Sequence, residues 1–109
     1  MINVANLSYK YRGNSNDTVK DISFSVMQGE IFGFLGPSGA GKSTTQKILI
    51  KLLNDYSGKI EVKGKDIKKQ DGNYFNQIGV CFELPNHYLK LTALENLQYF
   101  SEFYKYKPA

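Results

Sequence analysis

Residues 36–43 read Gly-Pro-Ser-Gly-Ala-Gly-Lys-Ser, with Thr44 next, and match the spacing GxxxxGK[ST] in full. The chemistry of such a segment is that of an anion cradle. Glycines at Gly36, Gly39 and Gly41 let backbone amides turn into one concavity that a β-carbon would obstruct. Pro37, Ser38 and Ala40 complete the loop around a phosphate tail. Gly41-Lys42-Ser43-Thr44 then opens a helix whose unbonded amides and positive dipole end face the anion. Lys42 is spaced to bridge the β and γ phosphates of a nucleotide, and Ser43 to offer its hydroxyl to Mg²⁺. Thr44 falls beside the α or β phosphate. The pattern chooses neither base nor reaction, because kinases, GTPases and several classes of ATPase share it.

A phosphate loop works between a buried strand and an amphipathic helix. Ile31-Phe32-Gly33-Phe34-Leu35 is a near-continuous apolar run, expected as a parallel strand covered on both faces. Ile48, Leu49, Leu52 and Leu53 recur at helical spacing and predict a helix over 44–53. Upstream, alternation predicts half-buried strands over 2–9 (Ile2, Val4, Leu7) and 19–26 (Ile22, Phe24, Val26). The turn-rich Gly13–Asp17 stretch lies between them, and Gln28-Gly29 makes a tight turn. Downstream, 59–62 reads as a short strand before a Gly64 turn, and 74–77 as a short amphipathic piece. Residues 78–82 read as a second buried strand stopped by Pro85-Asn86. Thr92-Ala93-Leu94-Glu95 has the form of a capping box opening a helix that runs towards Tyr104. This order predicts an α/β core with an antiparallel β annex. Two buried core strands leave open edges that need partners, and the chain reaches Lys107-Pro108-Ala109 directly after a helix, so residues 1–109 are expected to be an incomplete domain.

Composition narrows the function classes. The 109 residues carry 14 Lys+Arg against 10 Asp+Glu, a net charge of +4, and 41% hydrophobic residues, enough to bury a core. Arg12 is the sole arginine, which disfavours base readout and hence a sequence-specific nucleic-acid partner. Lys63, Lys65, Lys68 and Lys69 form the densest basic group, expected as a solvated turn. One cysteine, Cys81, excludes an internal disulfide and is expected to be a buried, inert thiol. His87 is expected at the surface. No apolar run approaches the ~20 residues of a membrane helix, and the N-terminus lacks a signal-peptide stretch, so a soluble cytosolic chain is expected.

Several blocks together resemble the first half of an ABC transporter nucleotide-binding domain. They are Leu7–Tyr11, Val19–Phe24, Gly29-Glu30-Ile31, Gly36–Thr44, Asp55–Ile60, Ile78-Gly79-Val80 and Leu91–Leu97. The resemblance spans nearly the whole chain and implies a P-loop NTPase (RecA-like) core fragment with ATP and Mg²⁺ as cofactors. It implies that Tyr11, 25 residues before Gly36, stacks on adenine; a flat aromatic offers its π-face to any base. Tyr9 competes, since alternation puts both tyrosines on one face, and only the family register prefers Tyr11. Where the family carries a glutamine after Ile-Gly-x-x-x, this chain has Glu83, a carboxylate suited to Mg²⁺ or its water. Lys42 and Glu83 are thus the expected catalytic groups, with Ser43 and Glu83 at the metal.

The family's Leu-Ser-Gly-Gly-Gln signature, its Walker B strand with catalytic glutamate and its switch histidine do not occur in these residues. The resemblance therefore implies weak MgATP binding without turnover for this stretch, and ATP-driven transport across a membrane for a longer protein. Its partners would be a second ATP-binding subunit and a transmembrane permease, which would hold it at the inner face of the cell membrane. Isolated chains are expected to self-associate through uncovered apolar surface. The alternatives are a small P-loop kinase or GTPase with Glu83 as its metal acid, and a non-hydrolytic nucleotide-binding module.

Overall fold

The computed structural model describes residues 1–104, so Lys107-Pro108-Ala109 lie outside the described residues. Its elements are β1 (Ile2–Tyr9), β2 (Val19–Val26), α1 (Lys42–Leu49), β3 (Ser57–Val62), β4 (Lys65–Asp66) and α2 (Ala93–Ser101), with 3₁₀ turns at Ile67–Lys69 and Gly72–Gln77. They fall into two compact units that divide between Gln70 and Asp71.

The first unit is built on an antiparallel sheet in the order β2-β1-β3-β4. Ile2 faces Val26 on one side and Val62 on the other; Val4 faces Phe24 and Ile60. The three-residue step between buried Val4 and Leu7 breaks simple alternation, and a bulge explains it. Asn6 takes φ 50 at the register shift between Val4 and Leu7, and Asp21 of β2 takes φ 45 at a second shift, between Leu7 and Tyr9. Side chains replace ladder bonds there. The Ser23 hydroxyl accepts from the Asn6 amide, the Ser8 hydroxyl accepts from the Asp21 amide, and the Asn6 side chain donates to Asp21. One residue is gained, and Leu7 returns to the inner face. Val4, Leu7, Val19, Ile48, Tyr56, Ile60, Val62 and Ile67 are all buried in this unit.

β3 and β4 join through Lys63-Gly64, both at positive φ (51 and 77), the backbone a two-residue hairpin demands. The basic group around this turn is solvated as expected, since Lys63, Lys65, Lys68 and Lys69 are exposed. Lys68 also ties two segments of the unit together. Its ammonium donates to the Tyr56 carbonyl at 3.0 Å and lies 4.1 Å from that ring's centre.

Four expectations need correction. Residues 31–35 and 78–82 are not strands: among the described residues neither segment has a ladder partner. A strand exists by hydrogen bonds to a neighbour, so apolar content alone does not make one. Segment 31–35 is covered on one face only. Phe32 stacks on Phe24 of β2 (5.2 Å) and Phe34 meets it edge-on (5.1 Å), while Ile31 and Leu35 are 98% and 95% exposed. Cys81, in the second unpaired segment, is correspondingly exposed instead of buried. Finally, α1 covers 42–49 and not 44–53. Lys51 at φ 61 turns the chain, and the amides of Lys51 and Leu52 close back onto the carbonyls of Ile48 and Lys47. That is a Schellman stop with lysine where glycine is usual, a signal the apolar spacing hides.

In the second unit the capping box is formed as expected. The Glu95 amide donates to the Thr92 hydroxyl at 3.2 Å, and the Thr92 amide donates to the Glu95 carboxylate at 2.7 Å. The helix ends at Ser101, short of Tyr104, because the last amides bond three residues back: Phe103 to Phe100 and Tyr104 to Ser101. His87 is exposed, as expected. The Thr92 amide first, and then its hydroxyl, hold the Glu95 carboxyl below its ordinary pKa of 4.5. A depressed folded-state pKa stabilises above the ordinary value and is lost as pH falls through the lowered one. Acidification below pH 4.5 should therefore fray α2 in the native chain. Helical circular dichroism followed against pH should lose this step in Glu95→Gln; identical profiles for the two chains would contradict it.

Candidate functional site

The site lies in the first unit, where the loop 36–41 leads into α1. Gly36, Pro37, Ser38, Gly39 and Ala40 are all exposed, so the loop stands open to solvent. A turn closes it from the Ala40 amide to the Pro37 carbonyl, 3.2 Å, with Gly39 at φ 82. Gly41 is the helix cap at φ 96, and no side chain caps the first turn. A β-carbon at Gly41 would sit 2.8 Å from the Thr18 carbonyl and 3.3 Å from Val19, so this glycine lets the start of α1 lie against the start of β2.

The donors converge here. Lys42 folds back over the loop and donates to the carbonyls of Gly36 (2.5 Å) and Pro37 (2.7 Å), which keeps its ammonium within the loop's arc. Ser43 is exposed, and Thr44 is buried. The first turn of α1 contains no acidic residue, and its last turn carries Lys47. The Thr45 amide is the first to close an α-helical bond, 2.9 Å to the Gly41 carbonyl. The amides of residues 42–44 therefore have no intrahelical acceptor. The Thr45 hydroxyl donates to the same carbonyl at 2.8 Å, a brace that sequence reading missed and that a β-hydroxyl four residues after Gly41 could have signalled. This donor set of amides, an ammonium and two hydroxyls, free of carboxylates, fits a polyphosphate chain.

The structure also separates the two tyrosines. The Tyr11 and Thr44 hydroxyls are 3.1 Å apart, across 33 residues of sequence. The Tyr9 ring stands edge-on behind Tyr11, centres 4.9 Å apart at 87°. Tyr11 therefore reaches the phosphate-loop helix, and Tyr9 buttresses it.

Glu83 is exposed and belongs to the second unit, in the segment that follows 78–82. Among the described residues no group of three or more His, Cys, Asp or Glu side chains could hold a metal ion. A Mg²⁺ bound mainly by phosphates and water needs only one or two protein ligands, and the Ser43 hydroxyl suits that role. Among the described residues no helix is long and apolar enough to cross a membrane.

Known proteins resemble this chain in sequence and in fold. The family model for ABC transporters matches residues 19–108. A fluoroquinolones export ATP-binding protein of Mycobacterium tuberculosis (strain CDC 1551 / Oshkosh) is 50% identical over 104 residues, 95% of this chain and 35% of the relative. The bacitracin transport ATP-binding protein BcrA of Bacillus licheniformis is 42% identical over 83 residues, 76% of this chain and 27% of the relative. The solved ATP binding subunit of an ABC transporter superposes with a TM-score of 0.82 at 31% identity, over 96% of this chain and 43% of that one. The dimeric post-hydrolysis structure of the ATP-binding cassette MJ0796 bound to ADP and Pi gives 0.78 at 28% identity, over 100% and 50%. The chain spans about a third of the length of the curated relatives it matches. With its phosphate loop, its antiparallel sheet and a family match over most of its length, the chain belongs to the ABC transporter ATP-binding family.

Proposed function

We propose that residues 1–109 are the N-terminal part of an ABC-type ATP-binding domain and that the loop 36–44 holds the phosphates of MgATP. The observation that carries this reading is the carboxylate-free donor surface of that loop, with the Lys42 ammonium drawn into its arc. The amides of residues 42–44, left without an intrahelical acceptor, turn to the β phosphate, and Lys42 reaches the β and γ oxygens. Ser43 offers its hydroxyl to the metal, and the Tyr11 ring supports the adenine. Mg²⁺, when bound, neutralises part of the phosphate charge. Glu83, standing where the resemblance places a glutamine, holds the metal or its water.

In the longer protein these groups serve ATP hydrolysis that drives a substrate across a membrane, with export the direction in which the fluoroquinolone relative's name points. A second ATP-binding subunit facing this one supplies the remaining catalytic groups; that the MJ0796 cassette is a dimer supports such a pair. A permease partner places the pair at the inner membrane face. Residues 1–109 alone bind and do not turn over.

Calorimetric titration of the full chain tests the binding step. ATP and ADP should bind in Mg²⁺, and AMP, which lacks the β phosphate, at least tenfold more weakly. In the same titration Glu83→Gln should raise the Mg²⁺ needed for half-saturation several-fold. Equal affinity for AMP and ATP would defeat the phosphate-loop reading, and an unchanged Mg²⁺ requirement would remove Glu83 from the metal.

A further inference from the structure

Stacking on a base and wrapping a phosphate tail are separable roles, and nothing in a stacking role calls for a hydroxyl. Phenylalanine would serve as well. Yet the Tyr11 hydroxyl lies 3.1 Å from the Thr44 hydroxyl, in the first turn of the phosphate-loop helix. Thr44 is buried, with 6% of its surface exposed, so solvent competes little for that bond. The Tyr9 ring edge-on behind Tyr11, and the Asn14 amide bonded to the Tyr11 carbonyl at 3.1 Å, hold the tyrosine's ring and backbone in place. A tyrosine secured at three points is built to position something.

We propose that the Tyr11 hydroxyl is a positioning group for the phosphate end of the ligand, acting through Thr44. This rests on the nucleotide reading of residues 36–44. A threonine hydroxyl has one proton to donate and lone pairs to accept. Tyr11 donates to the Thr44 oxygen, which leaves the Thr44 proton to point at a phosphate oxygen. In such a chain each bond polarises the next, so the Thr44 donor is stronger with Tyr11 behind it than alone. The residue that meets the base thereby also tightens the grip on the tail, and ligands carrying both parts are favoured over either fragment.

The probe is inorganic tripolyphosphate, which has the tail and no base. Tyr11→Phe keeps an aromatic face and removes only the hydroxyl. Its affinity for tripolyphosphate should fall about fivefold, the worth of one ordinary hydrogen bond. In a Thr44→Val background the same Tyr11→Phe change should have no further effect, and Thr44→Ser should restore it. Thermal melts of each variant identify any that fails to fold, and Thr44→Ala, which also removes the hydroxyl, carries the comparison if Thr44→Val does. An unchanged tripolyphosphate affinity in Tyr11→Phe overturns the proposal even if ATP binds more weakly, since that pattern marks a base contact alone. A fivefold effect that persists in Thr44→Val overturns it as well. Failure of the unmodified chain to bind tripolyphosphate at all would overturn the nucleotide reading itself, and the coupling with it.

Discussion

Gly58→Ala should leave the first unit largely unfolded. Gly58, in β3, takes φ 97, a conformation that costs an L-residue about 1–2 kcal/mol. A β-carbon there would lie 2.3 Å from the Asn6 carbonyl oxygen, 2.7 Å from that of Ala5, and 2.7 Å from the Asn6 carbonyl carbon. All three atoms are backbone, so no flexible side chain can move aside. They belong to β1, the strand that pairs with both β2 and β3, at the bulge where the register shifts. Relief requires β3 to leave β1 or the bulge to open, and overpacking of that kind costs about 1–3 kcal/mol, occasionally more. The sum, roughly 2–5 kcal/mol, reaches the lower end of the whole stability of a small domain. Urea unfolding followed by circular dichroism should show a midpoint collapsed towards zero denaturant. A loss under about 1 kcal/mol would mean that β1 and β3 approach less closely at this point than described.

The largest effect on binding should come from Lys42→Ala. The Lys42 side chain bonds to two loop carbonyls, 2.5 and 2.7 Å away, so its removal takes nothing from the sheet or from the face of α1 that carries Thr45 and Ile48. It does remove the ammonium that lies against the loop. Charge-assisted hydrogen bonds contribute about 1.5–3 kcal/mol each, and an ammonium placed between two phosphates makes two of them. Exchange of two neutral carbonyl partners for phosphate offsets part of that, leaving roughly 100-fold in affinity. Competition of ATP against a fluorescent nucleotide should show that loss, with the thermal midpoint within a few degrees of the unmodified chain. Retained affinity would place the phosphates elsewhere. The two substitutions are complementary. Gly58→Ala removes the scaffold and with it everything else, and Lys42→Ala spares the scaffold and removes the charge.

Much of this molecule is local and could be read from the chain alone. The strands 2–9 and 19–26 follow from period-two alternation, broken in the first at Asn6, and the structure gives them the same bounds. The capping box at Thr92 and Glu95 needs only residues three apart, and it forms. The phosphate loop is equally local: glycine content, a following helix and a lysine one residue past Gly41 are enough to set its donors. Other features depend on what lies opposite. Residues 31–35 and 78–82 have the composition of buried strands, but pairing is decided by a neighbour's hydrogen bonds, and composition does not contain the neighbour. Gly58 looks like an ordinary turn residue until the Asn6 carbonyl is found 2.3 Å from where its β-carbon would stand. Tyr9 and Tyr11 are interchangeable by alternation, and a 3.1 Å approach to Thr44 from 33 residues away tells them apart. Short-range order resides in the sequence because its bonds close within a few residues. The fate of edges, close backbone approaches and the choice between equivalent side chains waited for the fold, which alone brings distant residues within reach.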